Sequence, residues 1–499
     1  MKSSDISEEM IKEFKDRVLN DTLIIQYQAL FYSLSFIKLL DIKALQLFQC
    51  RLYLQPDLNN NSIVELTIKS CGLKNVEGLQ LPNLEVLNLS NNKLTSIKNI
   101  KNFTKLKVLN LSYNHKVKIH HLQFLVQLKE LDLSECMLTN IYAVQSLVNL
   151  EVLDISENRS INISKLENIT SLKILHANNC GVIDISKLSS LINLEVLDLA
   201  HNNISDIQAI QYLVKLTTLD LDHDSIKDIS PLQYLQNLQE LIIMNHRTEV
   251  NLAPLKSLTQ LKKLIINNCI IQDMFHLSTL INLEEFHIKL NYNLNISVMQ
   301  FWTNMKKLTI VSIDLQNISA LRNLYKLEEL NCSYNANIDI TPLQHLVNLK
   351  ILHLTSCKLI SITQFRTFIN LQELHLAFNY ICDISPLEPL TKLQKLCLYD
   401  NSITDFTPIQ QHPNYKMYLI SKQKIPTIQE QIISTKIQII DDINLKHINL
   451  NRKMKKLNLD FTLAVQRANS LIKQQYYDLI AFTSNIVQLF GSLNSSHYE

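Results

Sequence analysis

One spacing of apolar residues returns about every 22 residues through most of the 499-residue chain. Aligned on the first apolar residue, the units begin at Ile42, Ile63, Leu84, Leu106 and so on to Leu393, giving 17 units. The step is 22 residues, apart from two early units of 21 and one of 23 that starts at Leu238. Position four of every unit is Leu except Phe286, and position six is Leu or Ile except Ala177 and Cys332. Apolar residues at one, four and six fit neither a helical stripe nor plain alternation. They fit a short strand followed by a tight turn, with each unit too small to bury its own apolar side. Stacking of successive units is then the way to close a core.

Position nine sharpens the pattern. It is Asn at eight units, among them Asn92, Asn202 and Asn379, and Cys at six: Cys50, Cys71, Cys136, Cys180, Cys269 and Cys357. Asp224, His246 and Ile313 depart from it. After the strand the chain bends inward and leaves backbone groups without strand partners. A buried Asn amide can donate and accept to satisfy them, and Cys tolerates the same burial as a small, weak donor. Six of the nine cysteines therefore read as turn residues. Without a C-x-x-C pair, neither a disulfide framework nor a metal knuckle is expected, and a reducing compartment fits.

The return half of each unit carries strings such as "IKDISPLQYLQN" after Ser225 and "ICDISPLEPLTK" after Tyr380. Ser230-Pro231, Thr341-Pro342, Ser385-Pro386 and Thr407-Pro408 read as an N-cap followed by proline in the first turn of a short helix. The pattern L-x-x-L-x-L-x-x-N/C, with the "DISPL" and "DITPL" strings, resembles the leucine-rich repeat family. The similarity is to its short 22-residue class, found in a regulatory subunit of protein phosphatase 1 and in bacterial internalins. The resemblance implies an α/β solenoid: a curved parallel sheet on the concave side and short helices or 3-10 turns on the convex side.

Three segments follow. Residues 1–41 are expected to cap the stack, with an amphipathic helix over 5–19 (Ile6, Met10, Phe14 and Val18 on one stripe) and a damaged repeat in which Leu23 and Ile25 match the strand. Residues 42–420 form the solenoid. Residues 421–499 read as helical, best between Phe461 and Phe490, and as a cap or a partner-binding tail. A coiled coil is a further alternative for this segment, limited by heptads that are not sustained.

In a strand, neighbouring side chains alternate, so positions three, five, seven and eight are expected to face solvent on the concave side. Position five reads Asp132, Asp154, His176, Asp198 and Asp220 over five adjacent units, and position eight adds Glu135, Glu157, His201 and His223. Like charges on adjacent strands oppose stability, and a protein partner with a basic surface would offset that opposition. These nine residues are the candidate protein-binding set. His353 and His375 stand one strand apart, but with no third ligand in view they read as a surface pair. Strings such as Asn88-Leu-Ser90 read as the by-product of an Asn-rich chain.

Composition narrows the function. Net charge is +2, which offers no global field for nucleic acid or an anionic membrane. Only 4 glycines occur, which argues against phosphate-cradling loops. No catalytic motif, cofactor or metal site is expected, and no membrane span. The N-terminus lacks the pattern of a secretory signal, so a cytoplasmic or nuclear location is expected. The chain therefore reads as a non-enzymatic scaffold that binds a protein on its concave face. The alternatives that the resemblance implies are a regulatory or targeting subunit of a phosphatase-like enzyme and an adhesin-like surface receptor.

Overall fold

The computed structural model describes residues 8–26, 29–30, 34–52, 58–222, 226–244, 249–271, 273–291, 294–315 and 317–413. The chain divides into two compact units, Met1–Ile420 and Ser421–Glu499. The expectations for the C-terminal segment, and for His223, Asp224 and His246, lie outside the described residues.

The first unit is a leucine-rich-repeat-type solenoid built on an 18-stranded parallel sheet. Each strand pairs with the strand of the next coil: Thr22–Gln26 with Ala44–Phe48, Ala44–Phe48 with Glu65–Lys69, and onward to Lys395–Cys397. Register is kept throughout, so position four always faces position four: Leu131 against Leu153, Leu197 against Leu219, Leu374 against Leu396. The sheet has one strand more than the 17 counted units because the damaged repeat of the cap supplies it. Leu23 and Ile25 in that strand are fully buried.

Each coil drives the same side chains into the stack. In the coil from Leu194, Leu197, Leu199, Ile204, Ile207, Ile210 and Leu213 are all fully buried with it. A continuous apolar spine therefore runs through the repeats. Removal of that surface from water is the main force holding coil to coil. Trp302, the lone tryptophan, belongs to the spine. Its ring packs 4.8 Å from that of Phe286, and its indole N–H donates to the Leu277 carbonyl at 3.1 Å.

Asn at position nine makes the hydrogen bonds that the bend requires. Asn202 Nδ2 donates to the carbonyls of Ala177, Leu199 and Ala200, and its Oδ1 accepts the N–H groups of Cys180 and Val182. Cys at this position does part of the same work. Cys180 Sγ donates to the Ile155 carbonyl at 3.0 Å and Cys136 Sγ to that of Leu111 at 3.1 Å. Burial pushes both thiols up to about 12, so they stay protonated.

Of the two forms expected for the return segments, short helices or 3-10 turns, most are five-residue 3-10 turns, such as Ser230–Tyr234 and Thr341–His345, and Thr407–Gln410 is one turn of α-helix. The expected N-caps are corrected. Ser230, Thr341, Ser385 and Thr407 do not cap them. The residue before each is Ile or Phe and makes no side-chain cap. The Asp two residues before the Ser or Thr accepts its N–H instead: Asp228 from Ser230 at 2.8 Å, Asp339 from Thr341 at 2.9 Å, Asp383 from Ser385 at 2.8 Å. A short carboxylate that folds back on its own backbone makes this turn. The N-terminal helix is Glu8–Asp16, with Phe14 buried and Val18 packed beside the core.

Candidate binding face of the sheet

Strand alternation places positions three and five on the outward face, half-buried, while four and six are enclosed. The row expected at position five is assembled: Asp132 pairs in register with Asp154, Asp154 with His176, His176 with Asp198, and Asp198 with Asp220. Parallel neighbours lie about 4.8 Å apart, so five titratable side chains share one line.

The carboxylates are not bare charges. Asp132 Oδ1 accepts the N–H of Ser134 at 2.9 Å and its hydroxyl at 2.7 Å, while Oδ2 accepts Asn110 Nδ2 at 2.6 Å. Asp154 accepts the N–H of Ser156 and Asp220 that of Asp222, each at 2.9 Å. Asp198 accepts the N–H of Ala200 at 3.1 Å and the amide of Asn178 at 2.9 Å. Asn88, Asn110 and Asn331 do the same for Ser90, Ser112 and Ser333. The Asn-x-Ser strings are thus turn chemistry rather than a by-product of composition. Every sheet strand with Asp or Asn at position five ends there, after three residues, as in Val196–Asp198. Where it is Ile242, Ile265, His287 or Thr309 the strand runs on to five, as in Glu240–Met244. Strands with His176, His353, His375 or Cys397 at position five also end after three residues, so the Asp or Asn bond accompanies the short strand and is not its sole cause.

Burial raises the Asp154 carboxyl above the ordinary aspartate range, and the neighbouring Asp132 charge adds to this. His176 is raised, chiefly by the Asp198 carboxylate beside it. For Asp198 burial acts upward and is the largest influence, but His176, the Ala200 N–H and Asn178 outweigh it and hold the carboxyl low. His176 Nδ1 lies 3.7 Å from Asp198 Oδ2.

Position eight is corrected. Glu135, Glu157 and His201 lie beyond the strand ends, in the bend, each in the left-handed region at φ 54°, 61° and 57°. Tyr113, Asn179, Tyr334 and Phe378 take the same conformation in other coils. Glu135, Glu157 and His201 lie two or more residues past the strand ends at Asp132, Asp154 and Asp198 and so are not part of the strand alternation. Glu157 Oε2 accepts the Asn179 amide at 2.6 Å, and His201 Nε2 lies 3.6 Å from Asp222 Oδ2.

Further along, position three alternates in sign across four strands, Lys263, Glu285, Lys307 and Glu329, with ion pairs of 3.5 Å and 2.9 Å at its two ends. That stretch neutralises itself, whereas the stretch from Asp132 to Asp220 does not.

The last three strands gather a second cluster. His353, His375 and Cys397 are in register on adjacent strands. The two imidazoles stack with centroids 4.3 Å apart and planes within 6°. Glu373 Oε1 lies 2.9 Å from His375 Nε2 and 3.8 Å from His353 Nε2, and its Oε2 pairs with Lys395 Nζ at 2.7 Å. Burial, then the second imidazole, lowers the pKa of His353, while the neighbouring Cys397 thiol and the Glu373 carboxylate raise that of His375. His353, Glu373 and His375 have ligand atoms within 4.8 Å of one another, so they can hold a metal ion. The sequence reading missed Glu373. Its signal was the alternation Glu373-Leu374-His375, which puts both polar residues on one face.

Family models for leucine-rich repeats match residues 82–123, as two copies, and residues 167–226. The chain is a leucine-rich repeat protein. Its solenoid is similar in fold to a leucine-rich repeat protein of Leptospira interrogans (23% identity, 69% of this chain and 86% of that one, TM-score 0.54). The functional domain of InlJ from Listeria monocytogenes, which includes a cysteine ladder, is also similar (20% identity, 64% and 68%, TM-score 0.52). So is TLR13 in its complex with ssRNA13 (20% identity, 80% and 73%, TM-score 0.52). A search of curated proteins gives no match. Leucine-rich repeat proteins generally mediate protein binding, and the fold is typically non-catalytic. Among the described residues no helix is long and apolar enough to cross a membrane.

Proposed function

We propose that this leucine-rich repeat protein is a non-enzymatic scaffold that holds a protein partner on its concave sheet face, against the stretch from Asp132 to Asp220. The observation that carries the reading is the in-register row Asp132, Asp154, His176, Asp198, Asp220, which leaves four carboxylates on five adjacent strands with one imidazole among them. The turn hydrogen bonds explain why Asp or Asn stands there. They do not explain the choice of Asp, since Asn88, Asn110 and Asn331 make the same bond without charge. A partner with a basic surface supplies a reason for the difference, through attraction that speeds encounter and fixes orientation.

The test follows from that comparison. Substitution by Lys would disrupt the turns as well as the charge, so Asp154→Asn with Asp220→Asn is the informative change. A photo-reactive residue at Thr218, on the sheet face, is compared with one at Gln233, on the 3-10 turn Ser230–Tyr234. The reading expects a cross-linked protein from Thr218 and not from Gln233, and a reduced yield in the Asn variant. Cross-linking from Gln233 alone would overturn it. Phosphatase activity in the captured material would favour the regulatory-subunit alternative, and recovery at the cell surface would favour the adhesin-like one. The reading includes a reducing cytoplasmic or nuclear location, which fits free, turn-bound thiols such as Cys136 and Cys180 and is checked by cell fractionation.

A further inference from the structure

We propose that the sheet face at the last three coils binds a divalent ion of the zinc class, held by the imidazoles of His353 and His375 and the carboxylate of Glu373. Two in-register histidines on adjacent parallel strands put their rings side by side, and the stacking at 4.3 Å aims both Nε2 atoms at one carboxylate oxygen. In tetrahedral zinc sites with bonds near 2.1 Å, neighbouring ligand atoms stand about 3.4 Å apart. The separations of 2.9 Å and 3.8 Å from Glu373 Oε1 bracket that edge, and the two stacked rings reach a shared ion by tilting out of their parallel arrangement so that both Nε2 lone pairs converge. Lys395 grips the other oxygen at 2.7 Å and so orients the carboxylate, as outer partners of metal ligands do. Two imidazoles and a carboxylate suit zinc or cobalt better than calcium or magnesium, which take oxygen donors.

The same face provides a control. Glu285-Phe286-His287 repeats the Glu-x-His device, and His287 Nε2 lies 2.9 Å from Glu285 Oε1. Its in-register neighbours are Ile265 and Thr309, so the second imidazole is missing. Pairing of a carboxylate with a lone histidine is therefore common to both places, and the second histidine is confined to one.

The experiment uses the full, tag-free chain, titrated with Zn²⁺ alone against a chromogenic chelator and with Co²⁺ alone by absorption. One ion is expected to be lost or weakened at least tenfold in His375→Gln and in Glu373→Gln. The same ion should be retained in His287→Gln, and Lys395→Gln, which leaves the Glu373 carboxylate unsupported, should weaken it without abolishing it. Cys397→Ser, on the neighbouring strand, is expected to keep the ion. Thermal melts with and without Zn²⁺ report folding of each variant independently, and the Zn²⁺-dependent rise in Tm should vanish with the ligand substitutions. Equal binding by wild type and His375→Gln, or equal loss in His287→Gln, would overturn the proposal.

Discussion

Asn202 Nδ2 donates to the carbonyl oxygen of Ala177, one coil earlier in the stack, at 2.9 Å, while Asn202 Oδ1 accepts the N–H of Cys180 at 3.1 Å. One amide thus binds both the strand exit and the bend of the preceding coil, as well as its own bend. Asn202→Ala leaves buried backbone donors and acceptors unpaired, at about 1–3 kcal/mol for each group not rescued. A loss of about 3 kcal/mol or more in denaturant unfolding is expected. Asn202→Cys should cost less, because a thiol still donates to the carbonyl as Cys180 does to Ile155. Stability in the order Asn, Cys, Ala checks the role, and equal losses for Cys and Ala would contradict it.

Asp154 separates charge from turn formation. Its Oδ1 accepts the Ser156 N–H at 2.9 Å, and burial raises its carboxyl above the usual range. Asp154→Asn keeps the acceptor and removes a charge that burial penalises, so stability near neutral pH should stay within about 0.5 kcal/mol of wild type or rise. Asp154→Ala removes the acceptor and should cost about 1 kcal/mol, the net worth of one such hydrogen bond. Chemical denaturation of both variants decides.

The contrast marks how far the sequence could be read. Columns one, four, six and nine were legible because burial demands apolar side chains and the bend demands Asn or Cys at a fixed offset. The cap strand was legible through Leu23 and Ile25. The role of position five was not, since the alternation that shows Asp132 facing outward says nothing about the N–H of Ser134 two residues on. A reader could have seen it in the recurrence of Asn-x-Ser and Asp-x-Ser at 88, 110, 132 and 154. Position eight was misplaced because alternation was carried past the strand end, where φ changes sign at Glu135 and Glu157. Glu373 was missed because residues were compared along position five and not diagonally with position three.

His176 and Asp198 give the face a defined pH response. The pKa of His176 is raised, so its contribution to stability is complete below the ordinary histidine value of about 6.5 and fades as pH rises through the raised one. The pKa of Asp198 is lowered, so its contribution is complete above the ordinary aspartate value of about 3.9 and fades on acidification. Stabilisation by the pair is greatest between these limits. The stability difference between wild type and His176→Gln should therefore peak in mildly acid solution and shrink above neutrality. An NMR titration that puts His176 below an exposed histidine would contradict the assignment.

Gly181 and Gly72 both follow a position-nine cysteine, at φ 68° and 72°, where Met137 and Lys358 take φ 57° after Cys136 and Cys357. Four of the six coils with Cys at position nine thus place a second left-handed residue directly after it, and Asn coils such as that of Asn202 do not. A left-handed L-residue costs about 1–2 kcal/mol, and the chain bears this at Met137 and Lys358, so conformation alone does not demand glycine. Space separates the two sites. A Cβ on Gly72 meets nothing within 4 Å, whereas on Gly181 it would lie 2.2 Å from the carbonyl oxygen of Arg159, in the coil before. Gly72→Ala is expected to cost about 1 kcal/mol, the conformational penalty alone. Gly181→Ala must also push the coil away from Arg159, and a loss of about 2–4 kcal/mol is expected, the conformational penalty plus about 1–3 kcal/mol of overpacking. Paired denaturation curves test this, with similar losses for the two substitutions as the outcome that would contradict the close approach of Gly181 to Arg159.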